Sequence, residues 1–303
     1  MGYLATCLYV FITKMGNKMK LCRFLTSQRE TRVGLFTAEN QILDLSDAGM
    51  NNLIFLLEAE NPLQQLEALS QQSLARFSLN QIQLLSPVER QEVWAAGVTY
   101  LRSKTARMEE SDFSANAYDR VYSAPRPEIF FKSLPEKVVG PSEPVGIRAD
   151  AHWNVPEPEL ALVINSQGTI VGYTIGNDVS SRDIEGENLL YLPQAKIYHH
   201  SCAIGPCIVV GSTEAVARTW IIMLQIYRGG RIIFEGQTAV NRIKRSFEEL
   251  VSYLYRSQTF PHGAVLLTGT GIVPGNDFTL QPDDKVRIEV NGIGVLENTV
   301  IMV

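Results

Sequence analysis

Two glutamates lie one residue apart where a proline-containing turn leads into an apolar strand, in residues 154–160, NVPEPEL. Side chains at positions i and i+2 of an extended chain project to the same face, so Glu157 and Glu159 project together. Two close carboxylates repel each other unless one is protonated or a cation lies between them, and Mg²⁺ and Ca²⁺ prefer oxygen ligands. The pair therefore predicts a divalent metal site. The alternative is a solvated strand edge whose charges protect against aggregation.

A third acid and a lysine follow the pair along the chain. Residues 165–168, NSQG, predict a tight hairpin turn, and a returning strand over 169–175 then brings Asp178 beside the first strand. Three carboxylates together with water would suit Mg²⁺. Lys196 is a long cation between apolar flanks. We interpret it either as part of this site or as one half of a structural ion pair, since ion-pair networks also place lysines inside proteins.

The composition is that of an ordinary soluble globular protein and narrows the range of partners. The chain has 303 residues, of which 45% are hydrophobic and 19% are charged, and its formal net charge is -5. This mild charge gives no basic face for nucleic acid and no polybasic run for a membrane surface. Four cysteines in so long a chain need no disulfide framework, so we expect a reducing, cytoplasmic compartment. The sequence contains no glycine-rich phosphate-binding motif, which leaves nucleotide cofactors unsupported.

Three segments are predicted along the chain. Residues 1–18 lack the basic start and cleavage site of a signal peptide, so we interpret them as an extension from an upstream start codon, disordered or loosely packed. Residues 19–88 predict a small N-terminal domain that ends near Ser86 and Pro87, and residues 89–303 predict the catalytic domain. The elements expected in the N-terminal domain are strands over 21–25, 32–36 and 41–45 and helices over 52–58 and 63–77.

The predicted catalytic domain is rich in strands. A strand over 92–98 is followed by Tyr100 and a charged stretch through Arg120. We expect this stretch to be helical and to act either as a mobile lid or simply as a solvated surface helix. The next strand, over 126–132, carries Glu128, which could serve in catalysis or merely as an edge charge.

Several motifs, in this order and at these separations, resemble the fumarylacetoacetate hydrolase superfamily: PEPEL at 156–160, GYTIGNDVSSRD at 172–183, Lys196, and LTGTG at 267–271. The resemblance covers residues 90–303. Two further segments resemble its sugar-acid branch, RPEIFFK at 126–132 and ENLLYLPQAKIY at 187–198. Members of that branch dehydrate 2-keto-3-deoxy-pentonates of the arabinonate or xylonate type to 2,5-dioxopentanoate. The resemblance implies an α+β, β-rich fold: a mixed β-sandwich roll with a small N-terminal α/β domain, assembled as a homodimer or a dimer of dimers.

The resemblance also implies roles for individual residues. Glu157, Glu159 and Asp178 match the family's carboxylate ligands for Mg²⁺, which is replaced by Ca²⁺ or Mn²⁺ in some members. Lys196 matches the active-site lysine, and Glu128 matches an acid that is a candidate for proton transfer. The residues expected around a small-molecule 2-keto acid substrate are Arg182 behind the ligands, Thr270 at the substrate carboxylate, and Tyr100 and Ser103 in the lid segment.

The lid segment departs from the hydrolytic members of the superfamily. Carbon–carbon hydrolases carry a histidine and a glutamate after the tyrosine of this segment to activate water, whereas this chain has Ser103 and Ala106 there. Without that dyad hydrolysis is less favoured, while an elimination needs no added water. Glu109 and Glu110, further along the segment, are an alternative source of a base.

The expected chemistry follows from the ion and two side chains. A 2-keto acid would chelate the ion through its carboxylate and ketone oxygens, and the ion would acidify the C3 hydrogens and stabilise an enolate. A base must take the C3 proton and an acid must assist departure of the C4 hydroxyl; such groups contribute about 10²- to 10⁴-fold each. We assign these roles to Glu128 and Lys196 without deciding which is the base. The alternatives are a hydrolase or decarboxylase of an acylpyruvate- or oxaloacetate-like acid, and a non-catalytic metal-binding protein on the same scaffold.

Two other pairs of neighbouring residues are weaker candidates. His199 and His200 are adjacent, and on an extended segment their side chains would point to opposite faces and could not chelate one ion. Arg182 and Asp183 are expected either to pair with each other or to orient the metal ligands.

Overall fold

The computed structural model describes residues 18–103, 105 and 119–303. Within these ranges the strands form one 12-stranded sheet, one 5-stranded sheet and one 2-stranded ribbon. Short helices connect them. The α+β, β-rich fold expected from the sequence is confirmed. None of the helices in the described ranges is long and apolar enough to cross a membrane.

The elements are numbered in chain order. The strands are β1 (Met19–Leu25), β2 (Thr31–Phe36), β3 (Gln41–Asp44), β4 (Arg76–Ser78), β5 (Gln83–Leu85), β6 (Glu92–Gly97), β7 (Glu128–Ser133), β8 (Val138–Val139), β9 (Val145–Ile147), β10 (Asn154–Val155), β11 (Pro158–Ile164), β12 (Ile170–Asp178), β13 (Ser180–Ser181), β14 (Cys202–Val210), β15 (Ile221–Arg228), β16 (Arg231–Ala239), β17 (Ala264–Leu267), β18 (Lys285–Val290) and β19 (Gly294–Met302). The α-helices that lie wholly within the described ranges are α1 (Leu53–Leu57), α2 (Pro62–Ser70), α3 (Arg182–Glu187), α4 (Leu192–Lys196), α5 (Glu214–Ala217) and α6 (Phe247–Leu254).

The large sheet places the N-terminal strands beside the strands that lead to the acids. Its order is β4-β3-β2-β1-β14-β12-β11-β17-β6-β7, with β5 paired to β1 and β8 paired to β14. Strand β1 runs antiparallel to β14, with Met19 opposite Val210 and Leu21 opposite Ile208. The predicted domain boundary near residue 88 falls between two strands of this sheet, β5 and β6, and stays a prediction.

Strand β11 lies inside the large sheet and is buried along its whole length. Leu160 and Leu162 belong to the main hydrophobic core, while Val163 belongs to a second core that includes side chains of α1 and α2. A strand covered on both faces is a continuous apolar run instead of an alternating one, which is the pattern of residues 160–164, LALVI. The acids beside and within β11 are therefore held by a strand that is packed on both faces.

The 5-stranded sheet packs against the large sheet and completes the sandwich. Its order is β16-β15-β18-β19-β9. Ile222 and Leu224 of β15 and Ile288 of β18 share the main core with Leu160 of β11. Alternate residues of β15 are buried, as expected for a strand with one face on the core.

One predicted helix is shorter than expected. The helix predicted over 63–77 begins at Pro62 and ends at Ser70. The chain after it forms β4, where Phe77 pairs with Ile42 of β3. The prediction was wrong for residues 71–77, because pairing at the sheet edge decides their conformation and no local spacing indicates that partner.

Candidate active site

The β11–β12 hairpin brings the acid pair and the third acid together. Its turn is closed by a hydrogen bond from the N–H of Gly168 to the carbonyl of Asn165, and Gly168 has a φ of +78°, which favours glycine. Glu157 directly precedes β11 and Glu159 is its second residue. Asp178 is the last residue of β12, and its N–H donates to the carbonyl of Glu157 at 3.0 Å. All three acids therefore stand at the same end of the hairpin.

The three carboxylates form one buried cluster. One oxygen atom from each of Glu157, Glu159 and Asp178 lies within 4.8 Å of the others, and all three residues are buried. Burial, followed by the nearby carboxylates of Asp178 and Glu157, raises the pKa of Glu159 well above its ordinary value. Hard oxygen donors at this spacing, whose mutual repulsion a dication would remove, fit Mg²⁺.

The loop after β17 supplies a backbone donor to one of these acids. The N–H of Gly269 donates to Oε2 of Glu159 at 2.5 Å. Gly269 has a φ of +91°, and a Cβ atom there would lie 2.2 Å from Oγ1 of Thr99, so a larger residue could not hold the N–H in this place. Thr270, the next residue, is buried and lines a cavity together with the acids.

Lys196 is the last residue of α4 and points into the acid cluster. Its Nζ atom lies 3.0 Å from Oε1 of Glu157 and 3.1 Å from Oδ2 of Asp178. The same atom donates to Oγ of Ser180 at 2.6 Å. The lysine thus forms the ion pairs of a structural network, but it also lines the cavity, where a bound ligand would contact it.

A second buried lysine, which the sequence analysis did not single out, lies beside Lys196. Nζ of Lys132 is 2.5 Å from Oδ1 of Asp178, and it donates to the carbonyls of Val179 at 3.0 Å and Lys196 at 2.5 Å. The signal that could have found it is a lysine that directly follows the apolar residues of β7, since a buried charge needs a partner.

Arg182 is buried behind one of the acids. Its Nη2 atom lies 3.0 Å from Oε1 of Glu157, and its Nε donates to the same oxygen at 3.2 Å. Asp183 instead accepts a hydrogen bond from the N–H of His152 at 2.6 Å. Of the two arrangements expected for Arg182, the structure has the one in which it orients a candidate ligand. Glu185, which the sequence analysis did not name, is another buried acid that lines the cavity.

Glu128 lines the same cavity as the three acids and Lys196. On β7 it lies opposite Gly97 of β6. A Cβ atom at position 97 would lie 2.1 Å from Oε2 of Glu128, so only glycine leaves room for the carboxylate in this position. The side chain of Glu128 is thus directed at the cavity.

The two residues expected from the lid segment differ in position. Ser103 lines the cavity, and its Oγ donates to the carbonyl of Tyr100 at 2.9 Å. Within the described ranges, Tyr100 is not one of the cavity-lining residues. Its ring lies against Gly271, where a Cβ atom would come within 2.5 Å of Cδ1, and burial raises the pKa of its hydroxyl. The remaining lid residues named above lie outside the described residues: Ala106, Glu109 and Glu110.

The histidine pair has a different geometry from the one expected. His199 and His200 lie in a turn, where His200 has a φ of +58°. Their rings stack, with centroids 3.9 Å apart. The expectation that the two side chains point to opposite faces was wrong, because this segment is not extended.

The C-terminal two thirds of the chain match a known family. The model described as "Fumarylacetoacetate (FAA) hydrolase C-terminal" matches residues 92–301. The chain belongs to the fumarylacetoacetate hydrolase family. The matched range contains the three acids of the cluster together with Lys132 and Lys196, so the family's domain carries the whole candidate site.

Two relatives in this family are similar over most of their length. The chain is 50% identical over 217 residues to the Haloferax volcanii protein named "Probable 2-keto-3-deoxyxylonate dehydratase". The aligned segment covers 72% of this chain and 74% of that protein. It is 44% identical over 229 residues to 2-dehydro-3-deoxy-D-arabinonate dehydratase of Saccharolobus solfataricus. Here the aligned segment covers 75% of this chain and 77% of that enzyme.

A solved structure from the family extends the comparison to nearly the whole chain. It is 2-keto-3-deoxy-D-arabinonate dehydratase complexed with magnesium and 2,5-dioxopentanoate. It superposes with a TM-score of 0.80 at 35% identity, covering 94% of this chain and 99% of that one. The predicted resemblance to the fumarylacetoacetate hydrolase superfamily, and within it to the sugar-acid dehydratase branch, is confirmed.

Proposed function

We propose that this member of the fumarylacetoacetate hydrolase family is a Mg²⁺-dependent hydro-lyase that converts a 2-keto-3-deoxy-pentonate, of the arabinonate or xylonate type, into 2,5-dioxopentanoate. One observation carries the proposal: three acids, Lys196 and Glu128 line one cavity in a chain with dehydratase relatives at 44% and 50% identity. A dehydratase structure with magnesium and this product supports the reaction type.

Glu157, Glu159 and Asp178 would hold the ion. When bound, Mg²⁺ supplies Lewis-acid polarisation of the keto group, which acidifies the hydrogens at C3. Arg182 contacts Glu157 and the N–H of Gly269 contacts Glu159, so each of these carboxylates is held by a neighbour that limits its rotation. Ca²⁺ or Mn²⁺ would be accepted by the same oxygen donors.

Other residues of the cavity would position the substrate. Thr270 lines the cavity beside the acids, where its hydroxyl and the neighbouring loop N–H groups would bind the substrate carboxylate. Ser103 and Glu185 line the same cavity and offer hydrogen-bond partners for the hydroxyl groups of a sugar acid. Tyr100, which packs on Gly271, would support this loop instead of touching the substrate.

Two side chains would carry the proton transfers. Lys196 lines the cavity, and its Nζ lies 3.0, 3.1 and 2.6 Å from oxygen atoms of Glu157, Asp178 and Ser180. We therefore assign it to donate the proton that lets the C4 hydroxyl leave as water. Glu128, held over Gly97, is assigned to accept the C3 proton. The unsaturated acid then tautomerises: a proton lost from C5 and a proton gained at C3 give the C4–C5 enol. Loss of the enol hydroxyl proton and gain of a proton at C4 then give the C5 aldehyde.

Product analysis with the purified full chain tests the proposal. Incubation with Mg²⁺ and 2-keto-3-deoxy-arabinonate or 2-keto-3-deoxy-xylonate should give 2,5-dioxopentanoate, identified by mass spectrometry after trapping as a hydrazone. EDTA should abolish its formation. Failure to form this product from either sugar acid would refute the proposal.

Parallel incubations separate the alternatives. An acylpyruvate tests carbon–carbon hydrolysis, and oxaloacetate tests decarboxylation. Turnover of either in the absence of dioxopentanoate formation would replace dehydration by that reaction. No turnover of any keto acid would favour a non-catalytic metal-binding protein on the same scaffold.

The proposal extends to the organisation of the protein. It includes a homodimer or a dimer of dimers in the cytoplasm, with residues 19–88 as a small domain before the catalytic one. The family resemblance supports the assembly. Sedimentation equilibrium of the purified chain tests it, and a monomer mass would contradict it.

A further inference from the structure

We propose that Lys132 is a positioning residue of the metal centre. It holds Asp178 in the orientation in which that carboxylate would ligate the ion, and it ties Asp178 to the chain segment that carries Lys196. The inference rests on the proposed metal site. Lys132 is not among the described residues that line the cavity, so it would act through its neighbours and not on the substrate.

Two N–H donors of Lys132 make hydrogen bonds to carbonyl oxygens, and its ammonium group forms an ion pair with Asp178. A lysine carries three such donors. Nζ lies 2.5 Å from Oδ1 of Asp178, 3.0 Å from the carbonyl oxygen of Val179 and 2.5 Å from that of Lys196. The side chain is completely buried, and a buried charge is stable only when it is paired and hydrogen-bonded. The three acceptors therefore fix the position of this ammonium group.

The two buried lysines hold opposite oxygens of one carboxylate. Lys132 contacts Oδ1 of Asp178 and Lys196 contacts Oδ2 at 3.1 Å. Rotation of the carboxylate would break at least one of these contacts. In the orientation so fixed, an oxygen of Asp178 lies within 4.8 Å of oxygens of Glu157 and Glu159. Lys132 therefore maintains the spacing of the acid cluster.

The same lysine also fixes the backbone on either side of the site. Val179 follows Asp178 at the end of β12, and Lys196 ends α4. By donating to the carbonyls of both residues, Lys132 links the strand that carries a candidate ligand to the helix that carries the candidate proton donor. Loss of Lys132 would free both at once.

A cation beside a metal ligand has two opposite effects on metal binding. Its charge repels a dication, so by charge alone the removal of Lys132 should tighten binding. Its ion pair with Asp178 orients that carboxylate, so by positioning alone the removal of Lys132 should weaken binding. Loss of a group that orients a metal ligand typically costs about 10- to 100-fold in affinity. The direction of the change therefore distinguishes positioning from a simple charge effect.

Mn²⁺ binding to the metal-free full chain, followed by electron paramagnetic resonance, measures that direction without turnover. We expect Lys132→Met and Lys132→Gln to weaken Mn²⁺ binding by about 10-fold or more. The matched control is Lys137→Met, the same substitution at an exposed position shortly after β7, which should leave the affinity unchanged. Tighter or unchanged Mn²⁺ binding by folded Lys132 variants would overturn the proposal.

A second measurement covers the case in which the single variants fold poorly. Lys132→Met leaves the buried carboxylate of Asp178 with one lysine fewer, and an uncompensated buried charge destabilises a fold. Adding Asp178→Asn to Lys132→Met should therefore raise the thermal unfolding midpoint in EDTA above that of Lys132→Met alone. A double variant no more stable than Lys132→Met would also overturn the proposal, because a lysine that only fills space would give that result.

The outcomes for the two proposals are distinguishable. A chain that binds Mn²⁺ with the expected dependence on Lys132 but forms no 2,5-dioxopentanoate refutes the proposed reaction and leaves the role of Lys132 intact. A chain that forms the product while its folded Lys132 variants bind Mn²⁺ as tightly as the wild type refutes the role of Lys132 alone.

Discussion

Replacement of Glu159 by glutamine perturbs the electrostatics of the acid cluster with little change of shape. An oxygen of this carboxylate lies within 4.8 Å of oxygens of Glu157 and Asp178. At an effective dielectric constant of about 20, two unit charges at that separation repel by about 3 kcal/mol. The nearby lysines and Arg182 offset part of this repulsion. We therefore expect Glu159→Gln to raise the free energy of unfolding of the metal-free chain by about 1 to 2 kcal/mol at pH 8.

The pH dependence of this effect follows from the direction of the pKa shift. The pKa of Glu159 is raised in the folded chain, foremost by burial and then by the two neighbouring acids. Above the ordinary value of about 4.3, the folded state therefore binds more protons than the unfolded state. The free energy of unfolding falls as pH rises through the raised pKa. Below a pH of about 4.3 the stabilising contribution of Glu159 is fully present. Glu159→Gln should remove this part of the pH dependence of the free energy of unfolding.

Mg²⁺ should reverse the ranking of the two proteins. A ligand at about 100 times its dissociation constant stabilises the folded state by about 2.7 kcal/mol. The wild-type chain should gain this stabilisation. The Glu159→Gln chain lacks one of three carboxylate ligands and should gain little at the same Mg²⁺ concentration.

Denaturant unfolding between pH 5 and 9, in EDTA and then with Mg²⁺, measures both effects. Glu60→Gln, a substitution at an exposed acid, is the matched control and should change neither. Two results would refute the reasoning: a Glu159→Gln chain less stable than wild type at pH 8 in EDTA, or an equal response of both chains to Mg²⁺.

Three further outcomes are expected. Gly97→Ala should displace Glu128, because the added Cβ would lie 2.1 Å from its Oε2. Turnover should then fall about 10²-fold or more, while the affinity for Mn²⁺ stays unchanged. Full activity of this variant would show that Glu128 has no part in proton transfer. Lys196→Met should lower kcat about 10²- to 10⁴-fold in a chain that unfolds cooperatively, and unchanged turnover would return Lys196 to a purely structural ion pair. Burial raises the pKa of the Cys202 and Cys207 thiols to about 12, so neither thiol should react with a thiol reagent at pH 8 while the chain is folded. Peptide mass spectrometry measures this labelling, and rapid labelling of either cysteine in the native chain would contradict its burial.

The geometry of the acid cluster could be predicted because it depends on local structure. The period of a strand places Glu157 and Glu159 on one face, and a single hairpin turn brings Asp178 to the same end. The structure has these acids within 4.8 Å of one another. The apolar run after Glu159 likewise predicted a strand there, and the structure has β11 over Pro158–Ile164.

The contacts of Lys132 could not be predicted in the same way. This lysine is on β7, at one end of the large sheet, and Asp178 is on β12, with β11, β17 and β6 between them in the strand order. That order depends on pairings between distant segments, such as the parallel pairing of β17 with β6, for which no local pattern gives the partner. The conformation of His200 and the strand at Phe77 were missed for the same reason, since both depend on where neighbouring segments pack.

A ¹H NMR time course in D₂O tests the central claim most directly. With 2-keto-3-deoxy-arabinonate, Mg²⁺ and the wild-type chain, the aldehyde signal of 2,5-dioxopentanoate should grow as the signal of the carbinol proton at C4 disappears, with deuterium appearing at C3 and C4. EDTA, or the Glu128→Gln substitution, should suppress all of these changes. The absence of the aldehyde signal, or the growth of a pyruvate methyl signal from carbon–carbon cleavage in its place, would contradict the account.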